Sequence, residues 1–177
     1  MRKVLILFLI PCCFVACTGT GTDNAAAASK DTTAVSAVTL PYTASYSSTF
    51  VAGSRSDVAT VLKSYKTWED NDMVAMKATY GDSIAMDFSS GYRFHNSTDS
   101  MMIMAKKFRD SLSKVELNFI AWTSNHSVDK NEDWVNVWYK EIDHYKTGKV
   151  DSAEYEDDNL LKNGKIVFVS SHLRKLK

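Results

Sequence analysis

Apolar residues along this chain recur first at helical spacing and then at strand spacing. Val58, Val61, Leu62, Tyr65 and Trp68 stand three and four apart, which places them on one face of a helix that Ser54 or Asp57 can cap. Glu69-Asp70-Asn71-Asp72 interrupts that stripe. Asp72 then starts a shorter helix through Met73, Met76 and Tyr80, with Gly81 placed to end it in a left-handed conformation. From Ser83 the period is two: Ile84, Met86 and Phe88 alternate with Ser83, Ala85 and Asp87. Ser89-Ser90-Gly91 is a turn, and Tyr92 and Phe94 form a short return strand. Thr98 or Asp99 caps a third helix, with Met101, Ala105, Phe108 and Leu112 along one side. A second alternation sets Val115, Leu117, Phe119 and Ala121 against Glu116, Asn118, Ile120 and Trp122.

The last forty-odd residues predict three consecutive strands. Trp134 to Tyr145 leads to a turn at Thr147-Gly148-Lys149, Val150 to Leu161 ends at Asn163-Gly164, and a third run begins at Ile166-Val167-Phe168-Val169. Asn-Gly between two such runs is a strong hairpin signal, because both central residues of a type I′ turn need φ > 0. On the first strand Trp134, Asn136, Trp138, Lys140, Ile142 and His144 share one face, and Val135, Val137, Tyr139, Glu141 and Asp143 the other. On the second, Glu154, Glu156 and Asp158 form an acidic face, so Ala153, Tyr155, Asp157, Asn159 and Leu161 point inward or towards a partner subunit. With helices early, a late antiparallel meander and no alternating βα units, the expected class is α+β, with a curved antiparallel sheet packed on three N-terminal helices.

The N-terminus has a different character. Met1-Arg2-Lys3 precedes a short apolar run, Val4 to Ile10, which has the form of a signal peptide rather than a membrane span. Phe14-Val15-Ala16-Cys17 follows and resembles the bacterial lipobox, which implies cleavage before Cys17 and lipidation of that residue. All three cysteines, Cys12, Cys13 and Cys17, lie in this stretch, which excludes a disulfide framework or a thiol nucleophile in the folded part. The expected organisation is a lipoprotein signal peptide over 1–16, a lipidated cysteine and Thr/Ser/Ala-rich tether over 17–53, and one domain over 54–177. Within the tether Tyr42, Tyr46 and Phe50 stand four apart, leaving open whether they dock a final turn or strand or belong to a plain spacer. The expected location is the outer membrane of a bacterium, facing the periplasm, with the membrane as partner through the lipid.

Charge narrows the function classes. Removing the leader takes two of the 21 basic groups and none of the 21 acidic ones, leaving a slightly acidic chain without the basic footprint of a nucleic-acid binder.

Several segments in this order resemble the NTF2-like superfamily, in particular its SnoaL-like branch. They are Trp68-Glu69-Asp70-Asn71-Asp72-Met73-Val74-Ala75-Met76, Asp87-Phe88 with Gly91, Asp133-Trp134-Val135-Asn136-Val137-Trp138, Gly148, and Lys162-Asn163-Gly164-Lys165-Ile166. The resemblance covers roughly residues 55–175 and implies a cone: a strongly bent sheet wrapped on three helices, with a pocket at the open end and dimerisation through the sheet. It also implies that any catalysis would use an acid or histidine inside the cone, of the isomerase, cyclase or hydratase kind.

Two acids are candidates for that role. The resemblance places Asp87 near such a base, although alternation puts it opposite Ile84, Met86 and Phe88. Asp157 is the inward-facing acid of its strand. Tyr65, Trp122 and Trp138 are candidate pocket-lining aromatics for a small planar or apolar ligand. His126, His144 and His172 show no paired ligand spacing, so no metal site is expected, and nothing calls for a cofactor. A small-molecule or partner-binding domain without an assigned reaction is the first expectation. The alternatives are an enzyme using a buried acid and a dimerisation or assembly module.

Overall fold

The computed structural model describes residues 39–176. The signal peptide, Cys17 and the greater part of the tether lie outside the described residues. The elements run β1 (Phe50–Ala52), α1 (Arg55–Glu69), α2 (Met73–Lys77), β2 (Tyr80–Phe88), β3 (Arg93–Ser97), α3 (Thr98–Arg109), β4 (Leu112–Ser127), β5 (Glu132–Tyr145), β6 (Val150–Lys162) and β7 (Lys165–Lys175). The seven strands form one open sheet in the order β1-β4-β5-β6-β7-β2-β3. Among the described residues no helix is long and apolar enough to cross a membrane.

Local chemistry accounts for most element ends. Ser54 caps α1, its hydroxyl accepting from the Ser56 N–H at 3.1 Å, and Asp72 caps α2 by accepting from the Ala75 N–H at 2.9 Å. The cap of α3 is Ser97, one residue before the expected Thr98 or Asp99. The β6–β7 hairpin turns through Asn163 at φ 51° and Gly164 at φ 69°, both in the left-handed region that a type I′ turn requires.

Three expectations are corrected. The sheet is mixed, because β2 pairs parallel with β7; only a long excursion through β3 to β6 separates the two in sequence. Gly81 does not end α2 but is a strand residue, where a Cβ would lie 3.1 Å from Val167 Cγ1. The helices are not all N-terminal, since α3 lies between β3 and β4, in the order read from the sequence. In addition, Phe50–Ala52, grouped with the tether in sequence, pair antiparallel with Ser127–Asn125 of β4.

The sheet is curved. Its pairing slips between Leu112 and Lys114 and between Phe119 and Ala121 on β4, and between Leu160 and Leu161 on β6; such bulges bend a strand and increase its twist. Helix α1 packs against β4, β5 and β7, and α3 against β2 and β3. The tightest part of the core is Val61 of α1 with Ile84, Val135, Val137 and Ile166 of the sheet. Beyond this plug the concave face is not filled, and a pocket remains.

Candidate functional site

The pocket opens between the concave face of β5, β6 and β7 and the inner sides of α1 and α3, with a volume of about 350 Å³. One wall is apolar. Met86 and Phe88 reach it from β2, Phe94 from β3, and Met101, Ala105 and Phe108 from α3. The opposite wall carries three carboxyls on alternate positions of two neighbouring strands: Glu141 and Asp143 on β5, and Asp157 on β6. Strand alternation explains their common aspect, because Val135, Val137, Tyr139, Glu141 and Asp143 project to one side of β5.

Asp157 lies deepest, 4% exposed. Tyr65 donates to its Oδ2 at 2.6 Å and Tyr139 donates to the same oxygen at 2.9 Å. Its Oδ1 is buried without a hydrogen-bond partner, although Ser171 stands opposite on β7. Burial raises the Asp157 carboxyl above the usual carboxylate range, while Ser171 and the two phenols work in the other direction. Both phenols are themselves raised by burial, so they remain donors throughout the physiological range.

Glu141 and Asp143 form the second acidic group. The indole N–H of Trp68 donates to Glu141 Oε1 at 3.0 Å. Burial pushes the Glu141 carboxyl up to about 8, assisted by the neighbouring Asp143 charge and opposed by the Trp68 hydrogen bond. Asp143 is raised as well, mainly by burial, and its Oδ1 is buried without a partner. The two carboxyls stand two residues apart on one face of β5, so a charge on Asp143 helps to raise Glu141. Arg109 braces this corner. Its guanidinium donates to the carbonyls of Trp68 at 3.1 Å, Glu69 at 3.0 Å and Leu112 at 3.4 Å, and it lowers the Asp143 carboxyl through its charge. Trp68 in turn stacks on Phe108 with ring centroids 6.1 Å apart, joining α1 to α3 at the rim.

No protein-family model and no curated protein sequence matches the chain. Its fold does match solved structures. An LEH-like epoxide hydrolase from M. tuberculosis superposes with a TM-score of 0.58 at 8% identity, over 67% of this chain and 83% of that one. An NTF2-like protein of unknown function from Exiguobacterium sp. 255-15 gives 0.55 at 13% identity, over 66% of this chain and 99% of that one. AusH from Aspergillus nidulans gives 0.57 at 11% identity, over 71% of this chain and 88% of that one. The fold is NTF2-like.

Within this NTF2-like cone the sequence candidates separate. Tyr65 and Asp157 line the pocket and are hydrogen-bonded to each other. Asp87 stands outside it, half-exposed, with its Oδ1 3.4 Å from Nε of Arg93 across the β2–β3 pair. Trp138 does not line the pocket; it belongs to the outer face of β5 with Trp134 and Asn136, as the alternation requires. Trp122 does not line it either. The bulge between Phe119 and Ala121 shifts Trp122 opposite Val137, yet it lies beyond the cover of the helices and is 51% exposed. Glu141, Asp143 and Tyr139 were not singled out as site residues. The available signal was their shared face with Val135 and Val137, the most apolar pair on β5. Among the described residues no group of three or more His, Cys, Asp or Glu is arranged to hold a metal ion.

Proposed function

We propose that the NTF2-like cone binds a small, largely apolar molecule carrying one polar group, and that Glu141 and Asp143 exchange a proton with that group. The observation that carries this reading is the placing of Glu141 and Asp143, two carboxyls on one face of β5, on the wall of a pocket whose opposite side is built from Met and aromatic side chains. A carboxyl raised to about 8 is an acid at neutral pH, and Asp143, two residues along the same face of β5, supplies the second carboxyl for the exchange. Asp157 serves a different purpose in this reading. With two phenols on one oxygen it orders the base of the pocket and offers Oδ1 as an acceptor.

Two measurements on the full chain test the two parts. Fluorescence titration with a panel of aryl ketones and phenols should give saturable binding for at least one member. Ala105→Trp, which places an indole in the cavity, should remove it; no binding, or binding that survives A105W, defeats the pocket reading. For proton transfer, NMR in D₂O should show deuterium entering the α-carbon of a bound aryl ketone faster with the parent than with Glu141→Gln. Equal uptake by the two removes Glu141 from the chemistry.

The lipobox-like Phe14-Val15-Ala16-Cys17 supports a location for this domain at the bacterial outer membrane, facing the periplasm and held by lipid on Cys17. Cys17→Ala should move the protein from membrane to soluble fractions, and its retention in membranes would show the anchor to be elsewhere.

A further inference from the structure

A second cavity, of about 450 Å³, lies on the opposite, convex side of the sheet and shares no residue with the cone pocket. Its sides are Tyr46, Phe50 and Trp134, and its floor is Asn125, Asn136 and Asp158. Register explains the floor: Asn125 faces Trp134, and Asn136 faces Asp158, so β4, β5 and β6 each bring a polar side chain to one outer surface. Adjacent strands are about 4.8 Å apart, which sets the step between these groups. Asn125 donates to Asn136 Oδ1 at 3.0 Å, and Asn136 donates to Asp158 Oδ1 at 2.5 Å. Among the described residues that chain leaves Asn125 Oδ1 and Asp158 Oδ2 unused as acceptors, and each amide keeps a second N–H to donate.

The aromatic side is held in place before any ligand arrives. The Tyr46 hydroxyl donates to Glu132, Lys130 Nζ sits 5.4 Å from the centre of its ring, and Trp134 meets it edge to face at 6.2 Å. Phe168 meets Trp134 from the other side at 6.1 Å. Even so, Tyr46 is 50% and Phe50 48% exposed. Fixed aromatic rings open to solvent, beside a row of amide and carboxylate groups with unused donors and acceptors, make a binding surface rather than a piece of core.

We propose that this outer cleft is a saccharide-binding site. A pyranose ring has an apolar C–H face that lies on an aromatic ring, and an equatorial rim of hydroxyls that both donate and accept. The Asn125–Asn136–Asp158 row offers the matching mixture, with donors from the amides and acceptors from the carboxylate and the Asn125 carbonyl. Asp158 is the one charged group of the lining, so the cleft disfavours anions. An all-apolar ligand would leave the polar floor unpaired.

The test uses the full chain with maltotriose, cellotriose and chitotriose as probes, followed by ligand-observed NMR and calorimetry. At least one trisaccharide should bind saturably. Tyr46→Ala and Asp158→Asn should each weaken it by about tenfold or more, the loss of one stacking face or one charged acceptor. Glu141→Gln, in the other pocket, should leave it unchanged. Asp158→Asn keeps the side-chain size, so it decides the matter if Tyr46→Ala melts early. The proposal is overturned if none of the three sugars binds, or if binding survives both substitutions. It is equally overturned if sedimentation shows a dimer that Tyr46→Ala dissociates, which would make the cleft an interface between copies.

Discussion

Two phenol hydroxyls converge on one oxygen of Asp157 while its other oxygen has no partner. At the scale of single residues this arrangement separates the effect of a hydrogen bond from that of a charge. Tyr65→Phe removes the 2.6 Å donor and leaves the buried carboxylate with one phenol, so the Asp157 carboxyl should rise further. The expected loss is about 1–3 kcal/mol at neutral pH, the range for hydrogen bonds to charged groups, read from urea denaturation. Asp157→Asn acts differently. It keeps an oxygen for the two phenols and removes a charge that burial disfavours, so its stability should lie within about 1 kcal/mol of the parent or above it. If Asn costs more than Phe, the carboxylate is held by something other than the two tyrosines.

Between elements, Arg109 is the point where α1, α3 and β4 meet. It is 6% exposed and satisfies three backbone carbonyls, two of them on the last turn of α1, whose C-terminal carbonyls otherwise lack helical partners. Arg109→Met keeps the apolar stem but strands the Glu69 carbonyl, while that of Trp68 keeps the Asn71 N–H at 3.1 Å, so the expected cost is about 1–3 kcal/mol. Because Trp68 is set by the same contacts, the substitution should also disturb the Trp68–Glu141 hydrogen bond, visible as a shift in tryptophan emission. An unchanged emission would place the Trp68 ring under the control of Phe108 alone.

The same elements show what periodicity can and cannot deliver. Helix α1 and the faces of β5 and β6 followed directly from spacing, because each buries one side, and α1 and β6 carry charge on the other. The parallel pairing of β2 with β7 has no local signature, since it joins residues some eighty positions apart whose own patterns are the same in either direction. The bulge at Ile120 is likewise silent: one extra residue reverses every later side chain of β4, and an alternating pattern read straight through gives Trp122 the wrong aspect. The acids of the pocket were half legible. Alternation placed Glu141, Asp143 and Asp157 on definite faces, but only the position of α1 and α3 over the sheet determines which face is enclosed and how far along each strand the cover extends.

For the whole molecule, four acids raised by burial, Asp57, Glu141, Asp143 and Asp157, give the fold a pH dependence of definite sign. Glu141 is raised from 4.5 to about 8, and Asp57, Asp143 and Asp157 are raised from 3.8, in each case chiefly by burial. A group whose carboxyl is raised on folding binds its proton more tightly in the native state. Its contribution is fully present below the unfolded value and is lost as pH rises through the folded one. For Glu141 that loss runs from 4.5 to about 8. Asp110, Glu116, Asp129 and Asp151 are lowered by neighbouring donors and have the opposite sign; their contribution is lost as pH falls below the ordinary carboxylate range. Above about pH 5 their balance is constant and the raised acids dominate the slope. Thermal melting should therefore show stability falling between about pH 5 and 8, by on the order of a few kcal/mol. Glu141→Gln, which is neutral at every pH, should flatten most of that fall and make the variant the more stable protein at the alkaline end. Parent and variant curves that run parallel from acid to alkaline pH would mean that Glu141 is ionised in the folded cone, and its role as the proton donor would have to be abandoned.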